Sequence, residues 1–167
     1  MEIERKFTIT NLPVNLESYP CRIIEQAYLN TDPVVRIRRQ DDSYYLTYKG
    51  KGLLAREEFN LPLNEESYYH LREKADGNII SKKRYVIPID CPQFDPTYLS
   101  SAETSIDQIS LCVELDIFDP PFAPLVIAEV EFPDREIAEA FLPLDWFSQD
   151  VSNDPAYHNS NLSRRIL

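Results

Sequence analysis

Three of the first four charged residues of the chain fall at every second position: Glu2, Glu4 and Lys6 in MEIERKFTI. In an extended strand such residues share one face, about 7 Å apart. The spacing returns along the chain, with Arg36 and Arg38 in VVRIRRQ, Tyr45, Thr47 and Lys49 in YYLTYKG, and Arg56 and Glu58 in LAREEF. It continues with Lys82 and Arg84 in SKKRYV, Glu114 and Asp116 in CVELDIF, and Glu129 and Glu131 in AEVEF. Basic and acidic segments are segregated. Clustered carboxylates raise one another's pKa unless a cation intervenes. Hard Mg2+ or Mn2+ ions take such oxygens and commonly bridge them to phosphates. Arginine and lysine facing the acids match an anion with many oxygens. The chemistry expected of this face is the binding of a linear polyphosphate with its metal.

With three glycines (Gly50, Gly52 and Gly77), neither a Walker A loop nor a dinucleotide-binding turn can be built. Side chains must therefore hold the phosphates. Phosphoryl transfer asks for positioning and charge neutralisation more than for covalent catalysis, so no Ser-His-Asp or Cys-His set is required. His70, within a helical pattern, and His158, in YHNSNL, are assigned no catalytic role.

To position these residues, the sequence offers eight segments with period-two alternation: EIERKFTI, RIIEQAYLN, VVRIRRQ, SYYLTYKG, LAREEFNLP, NIISKKRYVIPI, LCVELDIF and LVIAEVEF. Two helices are predicted, NEESYYHLREKA with Asn64 as its cap and PDREIAEAFL after Pro133, and a short one near DPAYHNSNLSRR. The apolar partners on the strands, among them Ile37, Leu46, Phe59, Leu61, Leu115 and Val130, need cover. An eight-stranded antiparallel β-barrel with its apolar face outward under helices, an α+β fold, provides it and leaves the charges inside. Seven acids and seven bases fall on the inner face, so the whole formal charge of −11 lies outside. Arg5, Arg39 and Lys83 have the opposite parity and are expected in solvent. Tyr28 and Tyr45 share the inner parity, and Trp146 is expected to anchor its segment to the barrel exterior.

A length of 167 residues suits one domain spanning 1–167. The acidic balance argues against a nucleic-acid partner. Cys21, Cys91 and Cys112 form neither a disulfide framework nor a thiolate zinc site, and no signal peptide or membrane span is apparent. A soluble cytoplasmic protein is expected, monomer or homodimer. Residues 90–110, rich in Pro, Ser and Asp, read as a long insertion with no clear strand and the greatest freedom to move.

The E-x-E-x-K pattern of Glu2, Glu4 and Lys6 resembles the signature of the CYTH superfamily, the triphosphate tunnel metalloenzymes. The resemblance runs in order through QAYL, VRIRR, YYLTYKG, REEF, KKRY, VELDIF, AEVEF and YHNSNLS. It implies an eight-stranded antiparallel tunnel in which bases clamp a triphosphate and acids hold divalent cations. The 90–110 segment and DPPFAP depart from the family's usual connections. Glu2, Glu4, Glu129 and Glu131, then Glu114 and Asp116, are the expected Mg2+ or Mn2+ ligands. Lys6, Arg36, Arg38, Lys49, Arg56, Lys82 and Arg84 are the expected phosphate ligands, with Lys6, Arg38 and Glu4 central to catalysis. The expected activity is metal-dependent hydrolysis of a phosphoanhydride in inorganic tripolyphosphate or a nucleoside triphosphate. A thiamine triphosphatase is a relative activity, and Trp146 bears on it because a cationic ring favours an aromatic platform. An adenylate cyclase making cyclic AMP from ATP, or a non-catalytic polyphosphate-binding module, are the alternatives.

Overall fold

The structure is a computed structural model in which residues 2–50, 55–99 and 109–166 are described, 55 and 56 by backbone alone. Its strands are β1 (Glu2–Ile9), β2 (Cys21–Thr31), β3 (Val34–Gln40), β4 (Ser43–Lys49), β5 (Ala55–Arg56), β6 (Glu58–Leu63), β7 (Asp76–Pro88), β8 (Cys112–Phe118), β9 (Val126–Glu131) and β10 (Phe147–Asp150). The helices are α1 (Glu65–Arg72), α2 (Arg135–Ala140) and α3 (Asn159–Leu162). Each of the eight alternating segments forms sheet, LAREEFNLP being split at Glu57 into β5 and β6. The alternation did not reveal β10, a four-residue strand that pairs with β1.

The antiparallel sheet runs β10-β1-β9-β8-β7-β2-β3-β4-β6. Its two ends meet through β5, which pairs with β1 over two residues only, Glu2↔Arg56 and Ile3↔Ala55, and leads through Glu57 into β6. The round of strands is thus joined by a short seam rather than a full ladder. The Lys49 ammonium crosses it, 2.5 Å from Glu2 on β1 and 2.7 Å from Glu58 on β6.

The outward faces of β1, β8 and β9 place Ile3, Phe7, Val113, Leu115, Ala128 and Val130 in one core with Ile137, Ala138 and Phe141 around α2. Asp134 caps this helix, accepting from the Ile137 N–H at 2.8 Å. Phe147 of β10 stacks on Phe7 at 4.6 Å, and Trp146 packs edge-on against Phe147. A second outer cluster joins Ala27 and Ile37 to Tyr68 of α1, whose cap Asn64 accepts from Ser67. Each fully buried side chain of this kind contributes about 1.5–3 kcal/mol.

The cover is incomplete. Phe59 and Leu61 on β6, expected under a helix, remain 56% and 57% exposed. The inner face is also not charged along its full length. Tyr28, Val34, Ile80, Phe118 and Ile127 have inward parity, and at one end of the barrel they pack with Phe122 and with Leu162 of α3. Apolar side chains therefore fill the interior at that end, and the tunnel is cup-shaped.

Arg5 corrects another expectation. Instead of facing solvent, it donates to the Ala138 and Phe141 carbonyls and pairs with Asp150, joining β1, α2 and β10. Within the 90–110 segment, Asp95 N–H donates to Ala140 O, Leu142 N–H to Gln93 O, and Phe94 meets Phe141. Residues 91–99 are thus docked against α2, while residues 100–108 lie outside the described set.

Candidate active site

The cup opens into a cavity with acids at its mouth and bases within. Glu131 is exposed and Glu2, Glu4 and Glu114 are half-buried, whereas Lys6, Arg36, Arg38, Lys49, Arg84 and Glu129 are buried. Period-two register brings them together. Glu4 stands opposite Glu131 and Lys6 opposite Glu129 on β1–β9, Glu114 opposite Glu129 on β8–β9, and Arg36 opposite Thr47 on β3–β4. Tyr28, Val34, His158, Asn159 and Ser160 line the other side of the cavity, with His158 held by the Ser152 carbonyl at 3.1 Å. Short 3-10 and α-helical turns deliver His158, Asn159 and Ser160 to this side.

The charges fall into two groups. In the first, acids and bases meet. Lys6 lies 2.8 Å from Glu4 and 2.5 Å from Glu129, and these two carboxylates hold its ammonium pKa up against the effect of burial. Arg84 pairs with Glu114, Asp116 and Glu129. Burial would raise Glu129, but Lys6 and Arg84 hold it well below the usual carboxylate range. Burial likewise works against Glu58, which Lys49 brings down to about 2. Glu2 is raised by burial and by Glu4, and Glu131 by burial and by Glu114, Glu4 and Glu58. Among the described residues Glu131 has neither an ion pair nor a hydrogen bond.

In the second group, cations have no carboxylate at all. Arg36 donates to Thr47 at 3.1 Å, and its Nε has no partner. Arg38 donates to Gln26 and Tyr45, and its pKa is lowered by burial and by Arg36 and Arg84. Among the described residues neither guanidinium lies within ion-pair distance of an acid. Neither has a counterion among the described residues, and because a buried charge left unneutralised costs several kcal/mol, the pair is a candidate anion site.

Two of the expected site residues do not line the cavity. Lys82 and Asp116 are fully buried and bonded to each other. Burial lowers the Lys82 pKa to about 8 against the pull of Asp116. Both Asp116 oxygens are bonded, by Lys82 and twice by Arg84, so this carboxylate serves as a buried counterion and does not line the cavity. Parity correctly assigns both residues to the inner face, but it carries no information about height along the barrel. The Arg56 side chain falls outside the described residues. Sequence reasoning missed Gln26, Asn60 and Asn159, for which only inward parity or proximity to YHNSNL offered a signal.

Among the described residues no three Asp, Glu, His or Cys side chains already converge as a metal site. The oxygens at the mouth are nonetheless the hard donors that Mg2+ or Mn2+ selects. Burial first, and the neighbouring carboxylates second, raise the pKa values of Glu2 and Glu131, and a divalent cation would relieve the second of these effects. In donor chemistry Glu2, Glu4, Glu114 and Glu131 fit such an ion. Asp116 does not.

Comparison with known proteins gives this barrel a family. The CYTH domain profile matches residues 1–108, and the chain belongs to that family. More particularly, it is similar to inorganic triphosphatases. One from Nitrosomonas europaea is 32% identical over 99% of this chain and 98% of its own length, and one from Acetivibrio thermocellus is 32% identical over 96% and 92%. The crystal structure of an inorganic triphosphatase superposes with a TM-score of 0.65 at 28% identity, covering 99% of this chain and 96% of that one. A conserved hypothetical protein from Pyrococcus furiosus, 17% identical with a TM-score of 0.53 over 84% and 83% of the two chains, shares the fold alone.

Proposed function

We propose that this protein hydrolyses a terminal phosphoanhydride of inorganic tripolyphosphate, or of a nucleoside triphosphate, with Mg2+ or Mn2+. The observation that carries the reading is the pair of buried guanidiniums, Arg36 and Arg38, without carboxylate partners among the described residues and facing a rim of acids. The near full-length similarity to inorganic triphosphatases supports it. The cavity measures about 80 Å³, the liquid volume of about three waters, which favours phosphate groups over a nucleoside deep in the site. The reading takes residues 1–167 as one unit. Its three free cysteines suit a reducing cytoplasm, and no helix among the described residues is long and apolar enough to cross a membrane.

Arg36, Arg38, Lys49, Lys6 and Arg84 would bind phosphate oxygens and neutralise the charge that shifts during transfer to water. A divalent cation held by Glu2, Glu4, Glu114 and Glu131 would supply Lewis acidity at those oxygens. Lys6 now pairs with Glu4 and Lys49 with Glu2, so movement of these lysines onto phosphate would release the two acids for the cation. Glu129 remains between Lys6 and Arg84 and fixes both.

The test is a panel of tripolyphosphate, ATP, thiamine triphosphate and pyrophosphate with either metal, following phosphate, pyrophosphate and cyclic AMP. Phosphate from tripolyphosphate is the expected product. Pyrophosphate with cyclic AMP from ATP would replace the hydrolase by a cyclase, and tight binding without turnover would make the protein a polyphosphate-binding module.

A further inference from the structure

Gln26 lies on β2 directly opposite Arg38 of β3 and is completely buried. Its Oε1 accepts from Arg38 Nη2 at 2.9 Å and from Nε at 3.2 Å. Those two contacts fix the amide's orientation, because the opposite one would set two donors against two donors. The Nε2 group is then left without a protein partner. The other holder of Arg38 is the Tyr45 hydroxyl at 3.3 Å, also neutral.

An acidic residue at this place would hold the same guanidinium equally well. Glutamine and glutamate have the same shape and offer the same acceptor oxygen. They differ in that glutamate would cancel the charge of Arg38. Arg84 shows that outcome a short distance away, with Glu114, Asp116 and Glu129 on one guanidinium. A buried polar donor left unmatched is unfavourable, so Gln26 Nε2 also favours an incoming acceptor.

We propose that Gln26 is a positioning residue for the substrate. It locks the Arg38 fork in direction while leaving its positive charge to a phosphate, and it offers its own amide N–H to the same anion or to a water that accompanies it. The inference rests on the polyphosphate reading of the cavity and adds a residue that acts through Arg38.

The experiment compares the wild type, Gln26→Glu and Gln26→Met by calorimetric titration with inorganic tripolyphosphate in a chelator, by kcat and KM with Mg2+, and by thermal unfolding. If the wild type neither binds nor cleaves tripolyphosphate, the functional reading fails before Gln26 is in question. With an active wild type, Gln26→Glu should lose about tenfold or more in affinity, as cancelling a charge-assisted contact implies, with Tm unchanged or raised. Gln26→Met, which loses the fork but keeps the charge of Arg38, should lose less affinity and show its defect mainly in kcat. A Gln26→Glu protein that binds within about twofold of the wild type, or that loses no more affinity than Gln26→Met, overturns the inference. If Gln26→Glu does not fold, unchanged affinity and kcat in Gln26→Met overturn it as well.

Discussion

Glu4 and Glu131 stand directly opposite each other where β1 pairs with β9. Facing carboxylates are unfavourable across a sheet, where opposite charges stabilise. Here Lys6 draws Glu4 below the usual carboxylate range against burial, while Glu131 is raised by burial and by its acidic neighbours. The pair has one lysine for two acids, and a divalent cation would complete it.

Replacing Glu4 by Gln preserves size and hydrogen bonding and removes one charge. Metal affinity and kcat should fall together, turnover by about 100-fold given what positioned charge contributes to phosphoryl transfer. Titration with Mn2+ followed by calorimetry, beside steady-state rates, measures both. Excess metal should restore part of the rate.

Arg38→Ala should raise KM for tripolyphosphate and lower kcat, and no amount of metal should repair it. Lys83→Ala is the matched control. Lys83 neighbours Lys82 and Arg84 but is exposed on the outer face, so its loss should leave activity near that of the wild type. Equal losses in the two variants would mean that the basic face has been misassigned.

The Lys82–Asp116 pair acts on stability. Asp116→Asn leaves Lys82 and Arg84 short of their shared counterion in a site without solvent, and breaking such a pair from one side costs about 3–5 kcal/mol. Urea unfolding should show that loss. A metal titration at saturating tripolyphosphate should change far less than for Glu4→Gln.

Acid stability depends on Glu58. Its folded pKa, about 2, lies below the ordinary 4.5, so the fold favours the ionised form. The stabilisation is complete above the unfolded value and disappears as pH falls from about 4.5 towards 2. The gap in urea midpoint between the wild type and Glu58→Gln should therefore be constant near neutrality and narrow across that window. A gap unchanged down to pH 2.5 would show that Lys49 does not stabilise the Glu58 carboxylate.

The faces of the strands were legible because a period of two residues separates inner from outer side chains without reference to the partner strand. Arg36, Lys49 and Glu131 could be placed in this way. Height along the barrel is set by strand stagger, which alternation does not encode, so Asp116 and Lys82 could not be distinguished from Glu114 and Arg84. For the same reason Phe118 and Ile127, inward like the charged residues before them, gave no sign that they stop the interior with Leu162. Gln26 was missed because an uncharged side chain among charged ones is remarked only when its partner is known. Arg5 was misread because parity places it outside, and only tertiary packing brings α2 and Asp150 to it.

The closed floor has a topological consequence. A through-channel can be threaded, so a long polymer could pass and be cut anywhere along its length. A well with a floor can be entered only by a free end, and it reads the guest from that terminus to a fixed depth. An open-chain phosphate polymer has such an end, while a ring such as cyclic trimetaphosphate has none. On the polyphosphate reading, the apolar cluster around Phe118 and Leu162 would thereby favour a linear chain over a cycle by shape.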